Sequence, residues 1–259
     1  TPNIDPSSSF MYRFSSPSPG TYWAHPHTGL DADYGLYVPV IIDDPAEPGR
    51  YDAEWVVVLD DWTDGVGSSP QQLYEGLRPA SGSAGSSGGM PGMPGMPGMS
   101  GTPGTPGVPG VGGVGTSALL GGDAGDVSYP YYLANGRILN APTIFTARPG
   151  QRIRMRLINA GSDTAFRVAL AGHQMTVTHT DGFTVVPTDV DALLLGMGER
   201  YDVLVTAGDG VFPLVAAAEG KNAVARALLT TGAGTAPAPQ FQPPELQRRI
   251  GTVEVFTAA

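Results

Sequence analysis

Gln151-Arg152-Ile153-Arg154-Met155-Arg156-Leu157 alternates polar and apolar residues without a break. In an extended chain successive side chains point to opposite faces, so this period of two sends Ile153, Met155 and Leu157 to one side and the three arginines to the other. The segment is expected to be a half-buried strand with a solvated arginine face, not an anion site. It continues to Asn159 and follows the turn Arg148-Pro149-Gly150. Working outward, short runs rich in Val, Ile, Leu and Tyr recur along the chain. Strands are expected at Phe10 to Phe14, Thr21 to His25, Leu36 to Ile42, Trp55 to Asp60, Tyr132 to Leu133 and Ile138. Further strands are expected at Ala165 to Ala171, Gln174 to Thr178, Ala192 to Leu195, Tyr201 to Thr206, Val211 to Ala217 and Ala225 to Thr230, with turns at Asp181-Gly182 and Asp209-Gly210. One short helix is expected, Pro70 to Leu77, with Ser69 as its cap and Pro70 at its first position. Many short strands with regular turns mean an all-β sandwich or barrel.

Composition supports this reading. The 259 residues include 37 Gly and 25 Pro, about a quarter of the chain, which is hostile to helical bundles. Residues 81 to 115 concentrate 14 of these glycines and 6 of the prolines without a single charge, so that stretch reads as an insertion outside the packed core. With no Cys, the chain has no disulfide, no thiolate metal site and no cysteine nucleophile, so any metal must be held by His, carboxylate or Met. A formal charge of -10, with Lys221 as the single lysine, makes phosphate backbones poor partners, so no nucleic acid is expected. No apolar run is long enough to span a bilayer, so no membrane is expected, and the first residues show no signal-peptide pattern.

Four histidines can each be weighed. His25-Pro26-His27 follows the apolar run Gly20-Thr21-Tyr22-Trp23-Ala24, and residues i and i+2 of an extended chain share a side. Their attachment points lie roughly 6.6 Å apart, two strand rises, which suits one ion shared at its edge or two neighbouring ions with one nitrogen each. Imidazole favours zinc, copper, iron or nickel. Pro26 removes a backbone donor and marks a strand end where a site can open. The pair alone is also compatible with a surface coincidence, since two donors are too few for a closed site. His173 and His179 flank another strand without a third ligand-type cluster, and read as histidines hydrogen-bonded at a turn or boundary.

At the histidine pair the sequence resembles a known family. Pro19 to His27, followed by Tyr34-Gly35-Leu36-Tyr37-Val38-Pro39-Val40-Ile41-Ile42-Asp43-Asp44, resembles the end of the first cupredoxin domain of multicopper oxidases, a family that includes laccases, bilirubin oxidases and bacterial cuprous oxidases. Leu133-Ala134-Asn135-Gly136-Arg137, Arg148 to Gln151, Arg156-Leu157-Ile158-Asn159-Ala160, Thr180-Asp181-Gly182 and Gly198-Glu199-Arg200-Tyr201-Asp202-Val203 resemble its second domain in the same order. The resemblance implies an all-β, cupredoxin-like Greek-key β-sandwich, one complete domain plus a partial one. Residues 1–47 would be the C-terminal part of domain 1, residues 48–236 domain 2 with the insertion 81–115, and residues 237–259 a linker with the first strand, from Gly251 to Phe256, of a missing domain 3. Both ends are expected to continue into a longer protein.

The resemblance further implies that His25 and His27 are type 3 copper ligands, one to each copper of a binuclear pair. It implies an enzyme that oxidises phenolic or other organic substrates, or Cu(I), and reduces dioxygen to water, in an extracellular or periplasmic setting. The departures are equally specific: the family's other His-x-His, its His-rich segment and its His-Cys-His segment are not in this chain, and without Cys there is no type 1 copper here. The chain is therefore expected to depend on the remaining domains of the same oxidase and to be inactive alone. An alternative from another class is a non-catalytic cupredoxin-type module that sequesters Cu(I) through the Met-rich loop of the insertion.

The insertion bears on that alternative. From Gly89 it runs in Gly-led triplets that space Met90, Met93, Met96 and Met99 evenly. Three readings stand: a mobile polyproline-like loop, a collagen-like segment, and a Cu(I) relay in which four soft thioethers line one edge of a three-residue-per-turn helix.

Overall fold

The computed structural model describes residues 4–16, 18–47, 49–78, 108–112 and 114–259. Its first strands are β1 (Gly20–Ala24), β2 (Val38–Ile42) and β3 (Ala53–Trp62), followed by helix α1 (Pro70–Leu77). Then come β4 (Tyr131–Ala134), β5 (Thr143–Thr146), β6 (Arg152–Asn159), β7 (Phe166–Leu170), β8 (Met175–Thr180) and β9 (Phe183–Val190). The last are β10 (Ala192–Leu195), β11 (Arg200–Thr206), β12 (Val211–Ala218), β13 (Ala223–Thr230) and β14 (Ile250–Gly251). Strands β1 and β2 form a two-stranded antiparallel sheet of their own. The rest make two six-stranded mixed sheets, ordered β4-β3-β6-β11-β8-β9 and β14-β10-β7-β12-β13-β5.

The two large sheets close on a core built by period-two alternation. Trp55, Val57 and Leu59 of β3, Ile153, Met155 and Leu157 of β6, and Val203 and Val205 of β11 meet Phe166, Val168 and Leu170 of β7 and Leu214 and Ala216 of β12. Burying each large aliphatic side chain stabilises the fold by about 1.5–3 kcal/mol. The apolar half of the 151–157 alternation therefore does what its pattern dictates.

The arginine half does not, and this corrects the expectation. Arg152 is exposed, but Arg154 and Arg156 are 1% and 2% accessible. Their face is covered by β1 and by the segment that leads into β3. Arg154 meets Asp202 at 2.5 Å and pairs with Glu47, and Arg156 meets Glu54 at 2.7 Å and Asp202 at 3.0 Å. Buried charges persist only when paired in this way.

Other expectations are met or revised by what each segment can pair with. Helix α1 is capped as expected: Ser69 Oγ accepts from Gln72 N–H at 3.3 Å, and Gln72 Oε1 accepts from Ser69 N–H at 2.8 Å. Phe10 to Phe14 is not a strand; it has no ladder partner among the described residues and its aromatics are exposed. Gly251 to Phe256 is not a continuous strand either. Ile250 and Gly251 lie parallel to Ala192 and Leu193, and Val253–Val255 then turns as a short 3-10 helix. Strands β5 and β9 had no expectation: β5 is a four-residue edge strand, and β9 carries Pro187, which an edge position tolerates. Within the insertion, residues 108–112 are ordered against 126–128, with Gly112 N–H donating to Asp126 O at 2.7 Å and Ser128 N–H to Gly110 O at 2.8 Å. Met90, Met93, Met96 and Met99 lie outside the described residues.

Candidate metal centre

One face of β1 and its continuation carries Thr21, Trp23, His25 and His27 in sequence. Thr21 is buried, Trp23 half-buried, and both histidines are exposed. Three rings stack along this line. Trp23 and His25 have centroids 4.1 Å apart with planes 20° apart, and His25 and His27 are 4.8 Å and 26° apart.

That geometry narrows the two sequence readings of the pair. A metal lies in the plane of the imidazole that ligates it, along the nitrogen lone pair. Two nearly parallel rings stacked on each other keep their lone pairs in separate planes instead of directing them at one point. The pair therefore suits two neighbouring ions with one nitrogen each better than one chelated ion. Imidazole nitrogen suits copper, so the donor set fits. It is open by construction: among the described residues no group of three or more His, Cys, Asp or Glu is placed to hold an ion.

The strand that presents these rings is fixed at its buried end. Thr21 Oγ1 donates to Asp202 Oδ1 at 2.6 Å and accepts from Arg156 at 2.9 Å. Arg200 Nε donates to the Thr21 carbonyl at 3.2 Å, and its guanidinium lies over the Tyr22 ring. The β8–β9 turn closes against the same strand, so a Cβ at Gly20 would sit 2.6 Å from Gly182 O. Gly20 has φ +142, a conformation that side chains rarely adopt.

Electrostatics favour this anchor. Burial pulls the Arg154 guanidinium down, but the Asp202 charge and the hydrogen bonds of Glu47 and Asp202 outweigh it and hold the proton more firmly than on an exposed arginine. Burial pushes His179 below the usual imidazole value against the pull of Asp202. A second contact leads inward from the ring stack. Trp23 meets Tyr37 edge-on at 6.4 Å, and Tyr37 OH donates to Asp60 Oδ2 at 2.7 Å. Burial pushes the Asp60 carboxyl up to about 7, although the Tyr37 bond opposes the shift. Burial and the neighbouring Asp60 raise the Tyr37 phenol.

The other histidines are both hydrogen-bonded; His173 lies at a turn as the sequence reading has it, whereas His179 lies within β8 and not at a boundary. His173 Nδ1 meets the Ala171 carbonyl at 2.8 Å, so Nδ1 carries the proton, and Nε2 accepts from Gly208 N–H at 3.0 Å. Both nitrogens are engaged. His179 is buried, with Nδ1 at 3.0 Å from Thr178 Oγ1 and 3.9 Å from Asp202. Sequence reasoning missed Asp202 and Thr21. A signal was present: Asp202 stands between Tyr201 and Val203 in an otherwise apolar strand, where a charge needs a buried partner.

Two mixed six-stranded sheets packed on one apolar core, with an exposed imidazole pair just beyond a short flanking strand, fit a cupredoxin-like fold. Comparison with known proteins makes the assignment specific. Two family profiles described as multicopper oxidase match residues 1–47 and 53–235, and the chain belongs to the multicopper oxidase family. It is 64% identical over its whole length to the multicopper oxidase MmcO of Mycobacterium tuberculosis, of which it covers 48%. It is 34% identical to copper resistance protein A of Escherichia coli over 93% of the chain and 40% of that protein. The chain thus spans about half, or less, of the length of these relatives. In fold it is similar to a laccase from Botrytis aclada, with TM-score 0.59 at 23% identity, over 93% of this chain and 42% of that one. A blue copper oxidase from Nitrosomonas europaea is similar in fold with TM-score 0.57 at 21% identity, over 88% of this chain and 61% of that one. Proteins of this family bind copper.

Proposed function

We propose that this chain is the central part of a multicopper oxidase, in which His25 and His27 each give one imidazole nitrogen to a copper of a type 3 pair. The observation that carries the reading is the stack of two exposed, nearly parallel imidazoles at the end of an anchored strand. When bound, the copper centre supplies one-electron oxidation of the reducing substrate and reduction of dioxygen to water. The residues of this chain have narrower tasks. His25 and His27 each offer one lone pair, Trp23 packs on the inner ring and limits its rotation, and Thr21 ties the strand to the sandwich. Residues 48–236 form the structural middle domain, and residues 237–259 lead toward a third.

The reducing substrate is Cu(I) or a phenolic compound. Relatives named for copper resistance favour Cu(I), and those named laccase keep phenols in view. The same relatives support an extracellular or periplasmic setting. Since the chain contributes two ligands and contains no Cys, it does not turn over alone. In the full-length protein, changing both His25 and His27 to Ala is expected to lower the copper bound per protein and abolish oxygen uptake. Unchanged copper content would refute the assignment. The isolated chain with added copper is expected to consume no oxygen.

A further inference from the structure

We propose that Asp202 is a positioning residue for the His25/His27 pair and acts through Thr21, an inference that rests on the copper-ligand reading above. Thr21, Trp23, His25 and His27 follow one another at intervals of two, so they share one face of an extended chain. That face begins in the interior, where the Thr21 hydroxyl is sandwiched between Asp202 and Arg156, and it ends outside in the ring stack. The hydroxyl is used in both directions, donating to the carboxylate and accepting from the guanidinium. A slide of β1 along its axis, or a rotation about it, would break both bonds and carry the imidazoles with it.

Asp202 is itself bonded through both of its oxygens. One oxygen receives Thr21, and the other receives Arg154 at 2.5 Å and Arg156 at 3.0 Å. The two arginines continue to Glu47, beyond β2, and to Glu54, at the start of β3. The carboxylate is thus the node that links β1, which leads to the histidines, with strands β6 and β11 of the sandwich and, through the arginines, with Glu47 and Glu54. Two-donor sites depend on orientation more than closed ones, because no further ligand from the same chain corrects a misplaced ring. Groups that orient ligands through hydrogen bonds change metal affinity when they are removed.

The test uses the full-length, copper-loaded protein and three readouts: bound copper per protein, the fraction of copper visible by electron paramagnetic resonance, and the thermal midpoint. Thr21→Val keeps the shape of the side chain and removes only the hydroxyl. It is expected to weaken copper binding at the pair by about tenfold, the lower end for residues that orient ligands, and to raise the resonance-visible fraction as the two coppers lose their coupling. Thr21→Ser restores the hydroxyl and is expected to restore both readings. Leu214→Val, in β12 of the far sheet, is a control for general destabilisation; it is expected to lower the midpoint and leave the copper signal unchanged. Should Thr21→Val not fold, Thr21→Ala leaves space for a water on Asp202 and carries the same expectation.

If the His25 and His27 alanine variants lose copper while both hydroxyl-free variants bind it normally, the positioning role is overturned and the ligand assignment stands. If the histidine variants keep their copper, the ligand assignment falls and the positioning role falls with it. A copper signal altered equally in Leu214→Val, or not restored in Thr21→Ser, also overturns the positioning role.

Discussion

The closed sandwich and the two-stranded sheet beside it hold themselves together by different means. Between the large sheets, Met155, Leu157, Val168, Val203 and their neighbours bury apolar surface on all sides. By contrast, β1 and β2 have no third strand among the described residues and present Val38, Trp23 and both histidines at or near the surface. They are attached to the sandwich by a small apolar contact, Trp23 and Tyr37 against Val58, Ile158 and Ala160, and by a polar seam in which Thr21 meets Asp202, Arg156 and Arg200. Apolar packing fixes the scaffold, whereas the flanking strand that leads to the histidines adds hydrogen-bonded charge to a smaller apolar contact. Directional bonds specify a register in a way that apolar contact does not.

Removing the centre of the seam is the most severe way to break this division. Asp202→Ala leaves two buried guanidiniums short of a partner and is expected to cost about 3–5 kcal/mol, measured by urea unfolding of the chain. A loss below about 1 kcal/mol, the worth of an exposed pair, would mean the cluster is solvated. Next comes Gly20→Ala, whose new methyl group would meet Gly182 O at 2.6 Å. It is expected to loosen the small sheet selectively, so limited proteolysis should cut sooner within residues 18–47 while residues 131–230 stay resistant. Uniform sensitivity would show that the two regions unfold as one.

Asp60 sharpens the comparison through pH. Its carboxyl moves from 3.8 to about 7 on folding, chiefly through burial. Between those values the folded chain holds a proton that the unfolded chain has released, so this group makes stability fall as pH rises through that window. Asp60→Asn keeps an acceptor for Tyr37 and removes the titration. The variant is expected to lose less stability than the parent between pH 5 and pH 7.5, by on the order of 1–3 kcal/mol; parallel curves would contradict the buried-carboxyl reading. The smallest effect lies far from the seam. Ser69→Ala removes the cap of α1 and is expected to cost about 0.5–1 kcal/mol in urea unfolding, and no change there would mean the helix end is held by other contacts.

Much of the scaffold was legible in the sequence because burial writes a period. Ile153, Met155 and Leu157 alternate, and they are the core residues of β6. Ser69-Pro70 marks a helix start with local chemistry that no tertiary contact overrides. The same alternation misled on Arg154 and Arg156, since a period of two separates faces without saying whether the second face meets water or another segment. Phe10 to Phe14 reads as a strand by composition, but a strand exists only with a partner, and sequence composition does not supply one. At the site, the proximity of the histidines followed from their spacing. Their stacking on Trp23, and the carboxylate 181 positions from Thr21 that holds the strand, are long-range contacts with no local signature beyond a charged residue in an apolar run.

The central claim is that His25 and His27 face two coppers, not one. Anomalous diffraction at the copper edge, on crystals of the copper-loaded full-length protein, tests it directly. Two separate copper peaks are predicted, one about 2 Å from a His25 nitrogen and one about 2 Å from a His27 nitrogen, the length of an imidazole–metal bond. A single copper shared by both rings, or copper bound away from them, would contradict the account.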